Sequence, residues 1–203
     1  MNAVIGLEKL SYEMFLNNLD EDVRAEWVDG EVLIMSPVSD KHQRIGLFLL
    51  SLLQWYLDTN PIGEIFYESY QMKTGPGLPG REPDLIFLAN EHSDRNKHTF
   101  IDGPGDLVVE IVSLDSRKRD RADKYYEYEQ GGVREYWLID PLRNRAEFYI
   151  LDDDGKYAVV PIDQQGKYIS TVLPGLNIDP RWFWKEPLPS LRATLKEAGI
   201  SLT

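Results

Sequence analysis

Two carboxylates in this chain stand where an ionised side chain is costly. Glu110 is the single charge in the run Leu107-Val108-Val109-Glu110-Ile111-Val112, an apolar and largely β-branched stretch too short for a helix. A carboxylate there needs a partner. Asp84 opens a second apolar run, Leu85 to Ala89, directly after Pro83. If the two runs are neighbouring strands, as consecutive strands usually are, the acids meet at one site. Two carboxylates side by side repel, and a cation keeps both ionised. A hard divalent ion suits carboxylates, a backbone carbonyl and water. The chemistry would be activation of a water and stabilisation of charge on a phosphate. There is no cysteine, and the only histidines are His42, His92 and His98. A thiolate site is excluded and a multi-histidine zinc site is not expected, which leaves Mg2+ or Mn2+.

The elements that must position these residues can be read around them. Asp106 to Pro141 reads as a strand, a charged helix and a second strand, with Asp115 or Ser116 capping a helix from about Arg117 and Gly131-Gly132 ending it. Arg134 to Asp140 is the second strand, and a parallel pair joined by a helical crossover is expected. Upstream, Leu7 to Leu19 predicts a short helix with Leu10, Met14 and Phe15 as its stripe. Arg24 to Met35 predicts a hairpin about Asp29-Gly30. Ser39 or Asp40 caps a long helix through about Asp58, apolar at Ile45, Phe48, Leu49, Leu52, Leu53 and Tyr56. Gly63 to Ser69 is a strand, Gln71 to Lys73 pairs nearby, Gly75 to Gly80 is a loop, and Arg81 to Ala89 is the strand that carries Asp84. Asn90 to Gly105 is a surface loop or lid. Downstream, Arg145 to Leu151, Lys156 to Val160 and Lys167 to Val172 are antiparallel strands between DDDG and DQQG turns, and a helix runs from about Pro189 to Ala198. No repeat or linker divides the chain, so one domain over 1–203 is expected: 1–36 a helix and hairpin, 37–141 the core, 142–203 the C-terminal strands and helix.

The net charge of −12 argues against a broad phosphate-binding surface. A local basic cluster remains in Arg117, Lys118, Arg119, Arg121 and Lys124. It reads equally as a solvated helix face, with Asp120 one turn from Lys124 and Arg119 one turn from Asp123. No signal peptide or membrane span is visible, and a cytoplasmic location is the default.

Pro83-Asp84, then Glu110 on the next strand of a helix-strand-strand-strand-helix-strand order, resembles the PD-(D/E)XK nuclease superfamily. More closely, the blocks EWVDGEVLIMSPVSDKH, REPDLIF and DLVVEIVSLDSRKRDRADKYYEYEQGGVREYWLIDP, in this order, are similar to the Uma family of restriction endonucleases (DUF820-like). The resemblance implies an α/β fold: a restriction-endonuclease-like core, a mixed β-sheet flanked by helices, with an added N-terminal hairpin and C-terminal antiparallel strands. It implies a Mg2+- or Mn2+-dependent endonuclease acting on nucleic acid, DNA first, often as a homodimer, with Asp84, Glu110 and the Val112 backbone carbonyl binding metal. The superfamily places a lysine two residues after the glutamate, and here that position is Val112. Lys124 matches the lysine that the Uma branch carries on the following helix, where it could polarise water or balance phosphate charge; Lys118 is its rival. Glu26 matches an acid of the family's early block, with Glu31 as substitute because hairpin register is not fixed by sequence. His42, in the first turn of the long helix, could face the site as an imidazole.

Two other classes of function are compatible with the sequence. A nuclease fold that no longer cuts, kept as a binding or interaction module, is favoured by the acidity and by Val112. A metal-dependent hydrolase of smaller substrates is also compatible with the acidity. Trp182, Phe183 and Trp184 are either an interface or packing for their own domain, and Tyr125, Tyr126 and Tyr128 are read as core and rim packing.

Overall fold

The computed structural model describes residues 9–20, 23–113, 122–198 and 200 of the chain. The first helix, α1 (Tyr12–Asn18), starts where Ser11 Oγ accepts from Met14 N, a serine cap satisfying one of the orphan donors of the first turn. Phe15 is buried, whereas Met14, expected in the apolar stripe, is 53% exposed. The hairpin follows as β1 (Ala25–Val28) and β2 (Glu31–Ile34), with Glu26 opposite Leu33. Asp29 and Gly30 both have positive φ, 51° and 88°, the backbone that an Asp-Gly hairpin turn supplies.

Helix α2 (Asp40–Thr59) is capped by Ser39. Its stripe of Ile45, Phe48, Leu49, Leu52, Leu53 and Tyr56 is buried as the periodicity predicts. After it come β3 (Gly63–Tyr67), β4 (Gln71–Lys73), β5 (Gly80–Arg81) and β6 (Leu85–Ala89). The strand expected over Arg81 to Ala89 is therefore broken in two. Pro83 has no N–H to offer a ladder, which makes it a natural break. Arg81 pairs in one sheet and Leu85 onward in another. The expected lid after β6 is a 3-10 turn, Asn90–Arg95, followed by β7 (Phe100–Asp102), which pairs parallel with β4.

β8 (Leu107–Ile111) and β9 (Glu135–Asp140) form the expected parallel pair, joined through α3 (Lys124–Gly131). The expected helix start, with Asp115, Ser116, Arg117, Lys118, Arg119, Asp120 and Arg121, lies outside the described residues. The helix ends at Gly132, whose φ of +84° is the left-handed closure glycine permits. β10 (Arg145–Leu151), β11 (Tyr157–Val159), β12 (Tyr168–Ile169), β13 (Asn177–Ile178) and α4 (Leu191–Glu197) complete the chain.

A six-stranded mixed sheet, β11-β10-β9-β8-β6-β3, lies beside a five-stranded one, β2-β1-β5-β4-β7. The strand period of two sorts the large sheet's residues. Leu85, Phe87, Leu107, Val109, Ile111, Trp137 and Ile139 pack with α2 and the C-terminal segment. Ile86, Leu88, Val108, Val112, Tyr136 and Leu138 pack with Tyr128 of α3 and with Met72 and Ile101 of the smaller sheet. Trp182 and Phe183 are buried against Phe48 in the first of these cores, so the aromatic tail packs on its own chain. The fold is mixed α/β, with mixed sheets flanked by helices. No helix among the described residues is long and apolar enough to cross a membrane.

Candidate active site

Strand register builds the site. Tyr67 of β3 is opposite Leu85 of β6, and Leu85 is opposite Val109 of β8. One step past these paired residues come Glu68, Asp84 and Glu110. The three acids form a row across three adjacent strand ends. Glu110 lies on the face of Val108 and Val112, which meets α3 and the smaller sheet. Asp84 is held at the strand end by the Ile111 N–H, which donates to Oδ2 at 2.6 Å, and Glu68 N donates to the Asp84 carbonyl at 3.3 Å.

Each surrounding element adds a charge to this row. From α3, Lys124 Nζ lies 2.9 Å from Glu110 Oε1 and 3.0 Å from Glu26 Oε1 of β1. One turn on, Tyr128 OH donates to the same Glu110 oxygen at 2.6 Å. From β5, Arg81 Nη1 donates to Glu26 Oε2 at 2.8 Å, and its Nε and Nη2 make a two-pronged contact with Glu127 at 2.7 and 2.6 Å. From the first turn of α2, His42 Nε2 lies 3.3 Å from Asp84 Oδ2. Arg24 pairs with Glu68, whose other oxygen accepts from Gln43 Nε2 at 3.0 Å.

The electrostatics follow from burial and partners. Burial pushes the Glu26 carboxyl up, but Lys124 and Arg81 outweigh it and bring it down to about 2. Burial opposes the charged form of His42, yet the hydrogen bond and charge of Asp84, with Glu68 behind, leave it raised. Burial, then the charge and hydrogen bond of Glu110, hold the Tyr128 hydroxyl well above its ordinary range, so it stays a donor. Glu82, buried and accepting from Gln71 Nε2 at 2.9 Å, is raised by its burial, against the pull of Gln71 and Arg24.

Asp84, Glu110, Lys124, Glu26 and His42 are thus brought together, each at most 5% exposed. Lys124, read from sequence as either catalytic or a surface partner of Asp120, is 1% exposed and bridges two buried carboxylates. Val112 is buried in the apolar cluster, and its N–H turns to Ile139 O of β9 at 2.8 Å. At this level the pocket wall is made by Ile111 and Ser113. Glu31, the alternative to Glu26, is exposed and opposite Val28. Lys118 lies outside the described residues. Sequence reasoning missed Arg81, Tyr128, Glu68, Glu82 and Arg24. The charged pair Arg81-Glu82 before an apolar strand, and Tyr128 four residues after Lys124 on one helix face, were signals for three of these. For Glu68 and Arg24 there was none.

The pocket bounded by His42, Asp84, Glu110, Lys124, Arg24 and Glu82 measures about 30 Å³, room for an ion or one to two waters. A larger one of about 560 Å³ lies between α2 and 185–191, with the apolar Ile45, Phe48, Phe183 and Leu188 in its wall. Its charged groups, among them Arg44 and Asp40, are exposed, so the small pocket is where chemistry is concentrated.

The chain is similar to known proteins. A family model described as "putative restriction endonuclease" (Uma2) matches residues 11–181. A crystal structure of a "putative nuclease belonging to DUF820" from Anabaena variabilis ATCC 29413 superposes with a TM-score of 0.68 at 17% identity, covering 85% of this chain and 96% of its own. This likeness shows the fold. The type IIG restriction endonuclease BpuSI matches 59% of this chain and 13% of its own at 15% identity, with a TM-score of 0.33, too low to bear on the argument. No curated protein matches the chain.

Proposed function

Because the chain belongs to the Uma2 family of "putative restriction endonucleases", we propose that it is a metal-dependent endonuclease that hydrolyses phosphodiester bonds of nucleic acid, DNA first. One observation carries this reading. Lys124 Nζ is buried between Glu110 and Glu26, at 2.9 and 3.0 Å, at the wall of an ion-sized pocket that Asp84 also lines. The donor set fits a divalent cation, since Asp84 and Glu110 are hard oxygen donors that line one small pocket. These two carboxylates and a carbonyl at Ile111 or Val112 would hold Mg2+ or Mn2+. Bound there, the ion would supply Lewis acidity toward a phosphate and lower the pKa of a water.

The chain's own groups do the positioning. Lys124 is a fixed ammonium beside the place where negative charge would develop on a phosphate, and a preorganised charge in a dry site is worth more than one in water. Glu26 holds Lys124 in place, and Arg81 holds Glu26. Tyr128 fixes the Glu110 carboxylate through a short hydrogen bond. Arg81, Glu26 and Tyr128 are positioning residues in this scheme.

A second reading, a nuclease fold kept as a binding module, is favoured by the net charge of −12, which is poorly suited to a polyanion. Nicking of supercoiled plasmid with Mg2+ or Mn2+ separates the two. The proposal expects cleavage by the wild type and none by Asp84→Ala or Glu110→Ala. Cleavage unchanged in both variants would sink the site. A wild type that cuts neither duplex DNA, single-stranded DNA nor RNA would favour the binding module.

A further inference from the structure

We propose that His42, Glu68 and Asp84 form a second cation subsite, one that takes a first-row transition ion such as Mn2+ in preference to Mg2+. It rests on the reading above only through Asp84, the residue that both subsites share. Ligand atoms of these three residues all lie within 4.8 Å of one another, and a small rotation of side chains would bring them to one ion. The backbone brings two of the three together, because Glu68 and Asp84 stand one step past the paired ends of β3 and β6, where Glu68 N donates to the Asp84 carbonyl.

His42 is the observation that points to a ligand. Its side chain is 4% exposed, and its Nε2 stands 3.3 Å from Asp84. Its Nδ1 is buried and has no hydrogen-bond partner among the described residues. An imidazole committed only to packing usually satisfies both ring nitrogens, since a buried polar atom left unpaired is costly. Glu68 is half-buried, and its Oε2 is paired with Arg24. An entering cation would compete with Arg24 for that oxygen.

The nitrogen sets the selectivity. Three carboxylates would suit Mg2+, which keeps oxygen ligands and gives up its waters reluctantly. Replacing one oxygen by imidazole moves preference toward Mn2+, Co2+ or Zn2+. The subsite beside Glu110, built from oxygens, would not discriminate in this way.

Mn2+ is the probe, read by calorimetry and by electron spin-echo modulation from 14N. The wild type is expected to bind two Mn2+ per chain, with Mg2+ displacing only one, and to show nitrogen modulation. His42→Asn and Glu68→Gln should each weaken one of the two bindings by roughly tenfold or more, and His42→Asn should lose the nitrogen signal. Glu110→Ala should lose the other ion and keep the nitrogen signal. One Mn2+ in the wild type, lost in Glu110→Ala, indifferent to His42→Asn and Glu68→Gln and without nitrogen modulation, would overturn this subsite and leave the one beside Glu110 standing. A nitrogen-coupled ion that survives in Glu110→Ala as the sole site would support it and remove the other. No Mn2+ binding at all would overturn both. The wild-type nitrogen signal decides the matter even if a variant fails to fold.

Discussion

The antiparallel pair β6–β8 carries the same device at both ends. Asp84 precedes β6, and its Oδ2 accepts from Ile111 N, the last residue of β8, at 2.6 Å. Asp106 precedes β8, and its Oδ2 accepts from Ala89 N, the last residue of β6, at 2.8 Å. Each aspartate also meets a histidine, His42 at 3.3 Å and His92 at 2.9 Å. The near two-fold symmetry of an antiparallel pair makes the two ends local copies. What differs is the surroundings. Beyond Asp84 lie the buried Glu110, Glu26, Lys124 and Arg81, with the half-buried Glu68. Beyond Asp106 lie Arg134 and Glu91, 60% and 65% exposed. An aspartate capping a strand end beside a histidine is therefore a structural device in this fold. The candidate site is marked by the buried charges added to one copy, not by the copy itself, nor by space, since the pocket at Asp106 is the larger, about 310 against about 30 Å³.

The comparison breaks or holds first on paired substitutions. Asp84→Ala and Asp106→Ala each strip the acceptor from a strand-end N–H, and each should lower stability by about 1–3 kcal/mol. Only Asp84→Ala should also lose nuclease activity, by about 100-fold or more, as expected of a metal-holding carboxylate and its shell. Asp106→Ala should stay within about threefold of wild type when assayed well below its melting temperature. Plasmid nicking and thermal unfolding on the same preparations check both. Comparable loss of activity in the two variants would mean that the ends are not functionally distinct.

Lys124→Met sharpens the contrast. It leaves Glu26 and Glu110 buried without the cation between them, and breaking a buried pair from one side costs about 3–5 kcal/mol. In a chain of this size that is a fall in Tm of roughly 10 °C or more. At the Asp106 end no comparable buried cation is present among the described residues. If Lys124→Met melts within about 2 °C of wild type, the Lys124 bridge is not the organising contact of the site.

What the sequence made legible follows from range along the chain. The buried stripe of α2, the Asp29-Gly30 hairpin and the lone Glu110 in an apolar strand are local patterns, and each stands where periodicity puts it. Asp84 beside Glu110 required only that neighbouring strands pair. The contacts between sheets were not legible. Arg81 reaches Glu26 because Pro83 breaks the strand and sends Gly80-Arg81 into the other sheet, and nothing local fixes that docking. Glu68 joins the row through β3–β6 register, which one residue of slip would have erased. Tyr128 looked like packing and is packing, yet its hydroxyl is spent on Glu110. The turn and β7 hidden in the expected lid are short elements whose pairing partners lie elsewhere in the chain.

Acid titration tests the buried end by its charge. Glu26 is lowered from 4.5 to about 2, so its contribution is complete above pH 4.5 and is lost as pH falls through about 2. The size is about 3 kcal/mol. Urea unfolding across that window should therefore show a steeper decline in wild type than in Glu26→Gln. Equal slopes in wild type and Glu26→Gln would mean that Lys124 and Arg81 do not hold this carboxylate ionised.

The smallest expected effect lies at the solvent-facing end. Arg134 Nη1 is 3.4 Å from Glu91 and 3.8 Å from Asp106, but both Arg134 and Glu91 are mostly in water. Coulomb attraction there works against a high dielectric, and ordering two long side chains offsets much of it. Arg134→Ala should change stability by less than about 0.5 kcal/mol at physiological salt, and the difference should shrink further as salt shortens the screening length. Asp106 does not need this arginine, because the Ala89 N–H and His92 already satisfy it. Lys124 differs in being buried between two carboxylates, Glu26 and Glu110. A salt-independent loss above about 1 kcal/mol in Arg134→Ala would make the Asp106 end a second tightly coupled charge cluster, and the asymmetry that locates the site at Asp84 would then rest on Lys124 alone.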